Sequence, residues 1–169
     1  MKTRLALTGF MGVGKSSVAR HLAQLCNGRR VDLDAFIESR EHRTIAEIID
    51  SVGEPSYRRI ETEALRAVLE SGAADILSLG GGTWTMAENR ELLKLHKFIS
   101  VWLEAPFEYC WLNIAFSKKD RPLARDKEKA LALFEKRQAV YSLADWHFVI
   151  RSGLTSYDIA RQIKDEVLC

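Results

Sequence analysis

Short apolar runs alternate along this chain with longer segments in which apolar residues recur at helical spacing. The short runs predict buried strands at residues 4–8, 30–34, 75–79, 98–103 and 146–150. The periodic segments predict helices at residues 15–25, 44–51, 57–70, 88–95, 107–116, 131–143 and 155–167. Strands that alternate with helices indicate an α/β fold, in which a central parallel sheet of five strands is covered by helices on both faces.

The chain is predicted to form a single domain. Its 169 residues are close to the length of one ordinary domain, and a hydrophobic content of 47% supplies a core. No repeat, linker or low-complexity segment divides residues 1–169. Residues 117–127 are charged and irregular, and we expect them to form a small mobile lid. In sheets of this kind ligands gather at the carboxyl ends of the strands.

Charge and cysteine content narrow the class of protein. The chain has 25 basic and 23 acidic residues, which is too near balance for the basic excess expected of a nucleic-acid binder. Cys26, Cys110 and Cys169 are odd in number and widely spaced, so we expect reduced thiols in a cytoplasmic protein. No apolar run approaches the roughly 18 residues of a transmembrane helix, and the first residues do not have a signal-peptide layout.

A glycine-rich loop between the first strand and the first helix carries the strongest motif. Residues 9–16, Gly-Phe-Met-Gly-Val-Gly-Lys-Ser, fit the P-loop pattern. In such a loop several backbone amides face one anion, and the helix that follows adds its positive end. Lys15 is expected to reach the β- and γ-phosphates of a nucleotide, and Ser16 to offer its hydroxyl to Mg²⁺. The predicted phosphate-binding residues are Gly12, Val13, Gly14, Lys15, Ser16 and Ser17.

Two carboxylates follow the second predicted strand. Asp32 and Asp34 are two positions apart, which on a strand places both side chains on one face. We expect one to belong to a magnesium shell and the other to act on a substrate hydroxyl as general base or orienting group. An isolated Asp-x-Asp is more often a solvated turn, but the position directly after the P-loop helix favours a functional role.

Three arginines and a triple glycine are further candidates. Arg58 precedes Glu61 by three residues, so an intrahelical pair can orient its guanidinium. Arg121, in the charged stretch, is placed to fold over a triphosphate and stabilise charge on the transferring group. Solvated side chains are the alternative for Arg58, Arg121 and Arg137. Residues 80–82 are all glycine, which suits a close approach of backbone to a ligand, and a flexible loop is the alternative.

These motifs together resemble the shikimate kinase family nearly from end to end. They occur in the order typical of that family, and the combination is far more specific than the P-loop alone. The segments that carry the resemblance are the P-loop, Asp32-x-Asp34, Thr44 to Ile49, Gly53-Glu54 with Tyr57-Arg58-x-Ile60-Glu61, Ser78 to Gly82, Arg121-Pro122-Leu123, and Arg137-x-x-x-Tyr141.

The resemblance implies a monomeric enzyme with a three-layer P-loop fold that transfers the γ-phosphate of ATP to the 3-hydroxyl of shikimate, in aromatic amino-acid biosynthesis. The implied catalytic residues are Lys15, Asp34 and Arg121, with Asp34 holding the hydroxyl and Arg121 on the lid. Asp32 would support Mg²⁺ through water, together with Ser16. The implied shikimate-binding residues are Asp34, Arg58, Gly81, Gly82 and Arg137, with much of this site in residues 34–61.

Three positions depart from the family pattern. Ala124 stands where a second lid leucine is usual, and Tyr57 replaces a phenylalanine. Ile114 occupies the place of a basic residue beside the adenine, so adenine packing is expected to use other groups, such as Arg151. Two alternatives to a shikimate kinase are a gluconate kinase of the same architecture and a nucleotide-binding regulator without catalysis. The paired arginines argue against the first, and the intact Lys15 argues against the second.

Overall fold

Five parallel strands form the centre of the molecule, for which a computed structural model describes residues 3–168. The strands are β1 (Arg4–Thr8), β2 (Arg30–Asp32), β3 (Ile76–Ser78), β4 (Phe98–Glu104) and β5 (Trp146–Val149). Their order across the sheet is β2-β3-β1-β4-β5. The predicted α/β architecture with a parallel five-stranded sheet is therefore confirmed. Cys169, expected to be a reduced thiol, lies outside the described residues.

Helices pack against this sheet and connect its strands. They are α1 (Lys15–Leu25), α2 (Leu33–Glu41), α3 (Ile45–Val52), α4 (Glu54–Ser71), α5 (Ala87–Leu95), α6 (Phe107–Ala115), α7 (Lys127–Tyr141) and α8 (Ser156–Val167). Short 3-10 turns occur at Thr83–Thr85 and Pro122–Ala124. Within residues 3–168, no helix combines the length and the apolar content needed to cross a bilayer.

The central strand β1 positions the functional loop. Leu5 of β1 lies in register with Ile76 of β3 on one side and Ile99 of β4 on the other. Leu5 and Leu7 on one face and Ala6 on the other are all completely buried, as expected for a strand covered on both faces. The P-loop begins directly after β1, so it emerges at the middle of the carboxyl edge of the sheet, where parallel α/β sheets bind their ligands.

The segment after β2 differs from the sequence prediction. The strand was expected to reach residue 34, but it ends at Asp32, and α2 begins at Leu33. The Asp32 carboxylate accepts a hydrogen bond from the Ala35 amide at 3.2 Å and so caps the helix. Asp34 therefore lies in the first turn of a helix rather than on a strand. Helix α2 was missed because its buried stripe consists of Leu33 and Ile37 alone.

Helix starts were predicted less accurately than helix interiors. The capping box of Thr44 and Glu47, whose spacing is visible in the sequence, is present at the start of α3. Helix α4 begins at Glu54, earlier than expected, with Pro55 in its first turn, where proline is favoured. Helix α7 likewise begins at Lys127 because Asp126 accepts a hydrogen bond from the Lys129 amide at 2.8 Å.

Candidate active site

Two adjoining cavities lie along the carboxyl edge of the sheet. The larger has a volume of about 670 Å³ and is lined mainly by the P-loop, the start of α1, α2 and α6. The smaller, of about 70 Å³, lies between α3, α4 and α7 beneath the connection from α6 to α7. We call this connection, residues 116–126, the lid segment. The residues that line both cavities are Met11, Asp34, Gly80, Gly81, Lys119 and Arg121.

The P-loop lies directly on helix α6, and Gly12 makes this approach possible. Gly12 has a φ of +78°, and a Cβ atom added there would stand 2.4 Å from the backbone oxygen of Cys110. The side-chain amide of Asn113 donates to the Gly12 carbonyl at 2.8 Å. The loop is therefore held in one shape by the α6 backbone and by a side chain that the sequence analysis did not single out.

Lys15 is held inside the P-loop. Its side chain is buried, and Nζ donates to the carbonyl oxygens of Gly9 at 2.8 Å and Phe10 at 3.0 Å. Burial lowers the pKa of Lys15 to about 8, although the nearby Asp34 carboxylate opposes that shift. The first turn of α1 follows at once, so its amides and the ammonium of Lys15 converge on one region that suits an anion.

Hydroxyl and carboxylate oxygens cluster beside the loop. Ser16 Oγ donates a short hydrogen bond to Asp32 Oδ2, and Ser78 Oγ lies 3.5 Å from Ser16 Oγ. Mg²⁺ prefers such hard oxygen ligands and is usually bound through one or two carboxylates together with substrate phosphates. The donor set of Ser16 and Asp32 therefore fits Mg²⁺. Ser78, at the end of β3, was quoted only as part of the triple-glycine motif.

Asp34 faces both cavities from the first turn of α2. Its carboxylate Oδ2 lies 3.5 Å from Lys119 Nζ, and its side chain is 30% exposed. Burial raises the pKa of Asp34, with the charge of Lys119 acting in the opposite direction. A Cβ atom added to Gly80 would stand 2.8 Å from Asp34 Oδ1, so the carboxylate lies close to the glycine run that follows β3.

Arg58 is fixed by two carboxylates of its own helix. Its guanidinium donates to Glu61 at 2.7 Å and to Glu54 at 3.1 Å. Glu61 is almost completely buried and also accepts from the hydroxyl of Thr83 at 2.7 Å. The expected pair of Arg58 with Glu61 is confirmed, whereas the contribution of Glu54 was not foreseen.

Gly82 makes room for this guanidinium. A Cβ atom added at Gly82 would lie only 2.3–2.5 Å from the guanidinium atoms of Arg58. The triple glycine therefore lets charged side chains of the protein itself approach the backbone closely. From the sequence, this close approach was expected of a ligand.

Arg137 supplies a second guanidinium to the smaller cavity. It is 6% exposed, lies close to Gly81 and lines the cavity. The hydroxyl of Tyr141, one turn further along α7, donates to the Gly81 carbonyl. The structure thus brings Asp34, Arg58, Gly81, Gly82 and Arg137 around one cavity, as their assignment to one substrate requires.

The lid segment covers the place where the two cavities meet. Arg121 is half-buried, and its guanidinium donates to the Lys119 carbonyl at 3.2 Å. Arg125 forms paired hydrogen bonds to Asp50 of α3, at 2.8 and 3.0 Å, and also contacts Asp120. Sequence analysis identified Arg121 but neither Lys119 nor Arg125, because no local pattern separates them from other charged residues of this stretch.

Ile114 and Arg151 were both considered in relation to adenine packing, and neither lines the larger cavity. Ile114 is buried beneath the P-loop against Gly12. Tyr109, Asn113 and Ser156 are among the residues that do line the cavity. Within the described residues, α6 therefore presents Asn113 to the cavity and uses the next residue, Ile114, to support the P-loop.

A parallel sheet, a P-loop after its central strand, and an adjoining cavity with one carboxylate and two guanidinium groups define a P-loop kinase for small anionic substrates. The shikimate kinase family matches residues 11–168. The shikimate kinase of Streptococcus thermophilus is 40% identical over 94% of this chain and 96% of that protein. The chain belongs to the shikimate kinase family.

Solved structures agree with this assignment. The shikimate kinase of Acinetobacter baumannii, solved in complex with shikimate, superposes with a TM-score of 0.90 at 34% identity, covering 98% of this chain and 93% of that one. A gluconokinase of Sinorhizobium meliloti shares the fold, with a TM-score of 0.57 at 13% identity over 95% of this chain and 89% of that one. The likeness to the gluconokinase extends to architecture alone.

Proposed function

We propose that this chain transfers the γ-phosphate of ATP to the 3-hydroxyl of shikimate, giving shikimate 3-phosphate and ADP. One observation carries the proposal: a P-loop opens onto a second cavity in which Asp34 faces Arg58 and Arg137. Shikimate combines an alcohol with a carboxylate, and this cavity pairs a hydrogen-bond acceptor with two planar cations. The near full-length match to shikimate kinases supports the same reaction.

On the donor side, the P-loop amides and Lys15 would hold the β- and γ-phosphates, and Arg121 would approach them from the lid segment. Ser16 and Asp32 would hold Mg²⁺, Asp32 through a water molecule. Bound there, the ion neutralises part of the phosphate charge. Because phosphoryl transfer demands mainly positioning and charge stabilisation, a pre-shaped loop with a buried lysine suits it.

On the acceptor side, Arg58 and Arg137 would bind the shikimate carboxylate, while backbone of Gly81 and Gly82 would meet the ring hydroxyls. Asp34 would orient the 3-hydroxyl and accept its proton as the new oxygen–phosphorus bond forms and the bond to the ADP oxygen breaks. The pair of Arg58 with the buried Glu61 keeps that guanidinium in place before substrate arrives.

The proposal also covers assembly and location. The monomeric state is proposed from the family resemblance alone. The near balance of charge supports small-molecule substrates without nucleic acid, and the cysteine content supports a cytoplasmic enzyme.

A substrate panel tests the proposal. Release of ADP is followed with ATP, Mg²⁺ and each of shikimate, 3-dehydroshikimate and gluconate. We expect turnover with shikimate and none with 3-dehydroshikimate, which has a ketone in place of the acceptor hydroxyl. Turnover of gluconate without turnover of shikimate would establish the gluconate kinase alternative. ADP binding without turnover of any acceptor would establish the non-catalytic alternative.

A further inference from the structure

The larger cavity, which would hold the phosphate donor, and the smaller cavity, which would hold the acceptor, share few charged side chains. Of the residues that line both cavities, the charged ones are Asp34, Lys119 and Arg121. A phosphoryl group that passes from the P-loop to an acceptor held by Asp34 must cross this junction. Asp34 and Arg121 already have roles in the proposed reaction, whereas Lys119 has none.

Lys119 is placed to act at the junction. Its ammonium lies 3.5 Å from Asp34 Oδ2 and 4.0 Å from Glu38 Oε1, and its side chain is 42% exposed. Its backbone carbonyl accepts the hydrogen bond from the Arg121 guanidinium, so Arg121 is held against the backbone of Lys119. Partly exposed ion pairs are weak, and a flexible lysine can therefore turn to a more highly charged partner at little cost.

We propose that Lys119 is a second catalytic cation of the lid segment, which contacts the phosphoryl group during its transfer from ATP to the acceptor hydroxyl. This inference rests on the proposed function. The bond from the acceptor oxygen to phosphorus forms, the bond from phosphorus to the ADP oxygen breaks, and the hydroxyl proton passes to Asp34. Lys119 keeps its protons throughout and supplies positive charge opposite Lys15, where negative charge spreads over the transferring oxygens.

The neighbouring residue provides a matched control. Lys118 has the same charge and lies in the same segment, but it is exposed and lines neither cavity. Removing either lysine changes the net charge of the lid segment equally. A difference between the two variants therefore reports on the position of Lys119 and not on the general electrostatics of the lid.

The test compares Lys119→Met, Lys119→Arg and Lys118→Met with the wild-type enzyme. Single-turnover rates are measured with saturating ATP and shikimate, because opening of a lid can otherwise limit turnover. We expect Lys119→Met to lower the single-turnover rate by about a hundredfold, which is at the lower end of the effects of losing one such donor. Lys119→Arg should recover most of the loss, and Lys118→Met should stay within about twofold of wild type.

Binding of a transition-state mimic separates catalysis from lid anchoring. For Lys119→Met, affinity for ADP with aluminium fluoride in the presence of shikimate should fall in parallel with the rate, while affinities for ADP and for shikimate alone stay near wild type. A weaker affinity for shikimate with an unchanged single-turnover rate would overturn the proposal and leave Lys119 as a lid anchor. Equal behaviour of the Lys118 and Lys119 variants would overturn it too, as would a slower rate with full affinity for the mimic. Failure of wild type to phosphorylate shikimate would instead count against the proposed function.

Discussion

The part of the site around the P-loop, which we call the donor half, consists largely of backbone. The part around Asp34, Arg58 and Arg137, which we call the acceptor half, consists of charged side chains that hold one another in position. In the donor half, Lys15 is held by two carbonyl oxygens of its own loop, and Gly12 rests on the α6 backbone. In the acceptor half, Arg58 depends on Glu54 and Glu61. A site formed by backbone keeps its geometry when a neighbouring side chain is substituted. In a network of ion pairs, one substitution leaves the partner residues unpaired and displaces them.

The largest expected effect joins both halves and concerns Asp34. Asp34→Asn should lower kcat by about a thousandfold, because an amide cannot accept the hydroxyl proton and orients the acceptor less well. Affinity for ADP should change little near neutral pH, since the hydrogen bonds of Lys15 and Gly12 in the P-loop are made with other residues. Steady-state kinetics and calorimetry of ADP binding measure the two quantities.

Glu38→Gln is the matched control for Asp34, because Glu38 lies on the same helix and also near Lys119. Its side-chain oxygen accepts from the Ile45 amide at 3.1 Å, a contact that glutamine can keep. Turnover within about fivefold of wild type is expected there. Near-wild-type turnover in Asp34→Asn would remove Asp34 from the mechanism.

The second prediction concerns Arg58 and the ion pairs that hold it in the acceptor half. Arg58→Ala should weaken shikimate binding by about a hundredfold, as expected for the loss of a charge-assisted contact, and leave ADP affinity within about twofold. It should also lower the free energy of unfolding by about 3 kcal/mol, because Glu61 is left buried and unpaired. Calorimetry and denaturant unfolding measure these two effects.

A double variant separates binding from stability at this position. Arg58→Ala with Glu61→Gln removes the buried negative charge while keeping an acceptor for Thr83, so stability should recover and shikimate binding should not. A large loss of ADP affinity in a folded Arg58 variant would mean that Arg58 belongs to the donor half.

The sequence located residues of both halves, but it described the geometry of the P-loop more directly than that of the acceptor half, for a physical reason. The P-loop is contiguous, so its residue types and their spacing describe its geometry directly. The acceptor half is assembled from α2, α4, α7 and the lid segment, and its ion pairs join distant residues, as Arg125 and Asp50 do across 75 positions. Charge alone does not identify such a pair, and Lys119 was overlooked beside Lys118 for this reason.

The fold shows the same division. Long periodic segments such as α1 and α8 were predicted with correct limits to within a residue, because each has a buried apolar stripe and the two helices pack against each other. The boundary between β2 and α2 was not predicted correctly, since it depends on whether the Asp32 carboxylate binds the Ala35 amide. The same carboxylate accepts from Ser16, so one side chain serves both the fold and the candidate metal site.

The third prediction tests the buried lysine of the donor half. Phosphate should raise the pKa of Lys15 from its value of about 8 in the free protein. Below pH 8 the lysine is charged with or without nucleotide, so affinity for ADP should be flat. Above pH 8 binding must take up a proton, and the dissociation constant should rise about fivefold between pH 8 and pH 9.

Calorimetry in buffers of different ionisation enthalpy measures that proton uptake directly. The control is Lys15→Met, which should bind ADP weakly and without the dependence above pH 8. Proton release on binding, or an unchanged slope in the variant, would contradict the assignment of this titration to Lys15.

The smallest expected effect concerns the contact between the lid segment and α3. Arg125→Gln breaks the paired hydrogen bonds to Asp50, so the lid segment should close less often. KM for shikimate should therefore rise, but only about threefold, because an exposed ion pair contributes little energy. Asp50→Asn should have a similar effect, and the double variant should be no worse than either single variant.

Arg66→Gln, which breaks a comparably exposed pair with Glu88 away from both cavities, is the control and should leave KM unchanged. Additive effects of the Arg125 and Asp50 variants would show that the two residues act separately. The acceptor half would then depend on the pairs around Arg58, and the lid segment would contribute through the residues that line the two cavities, without an anchor on α3.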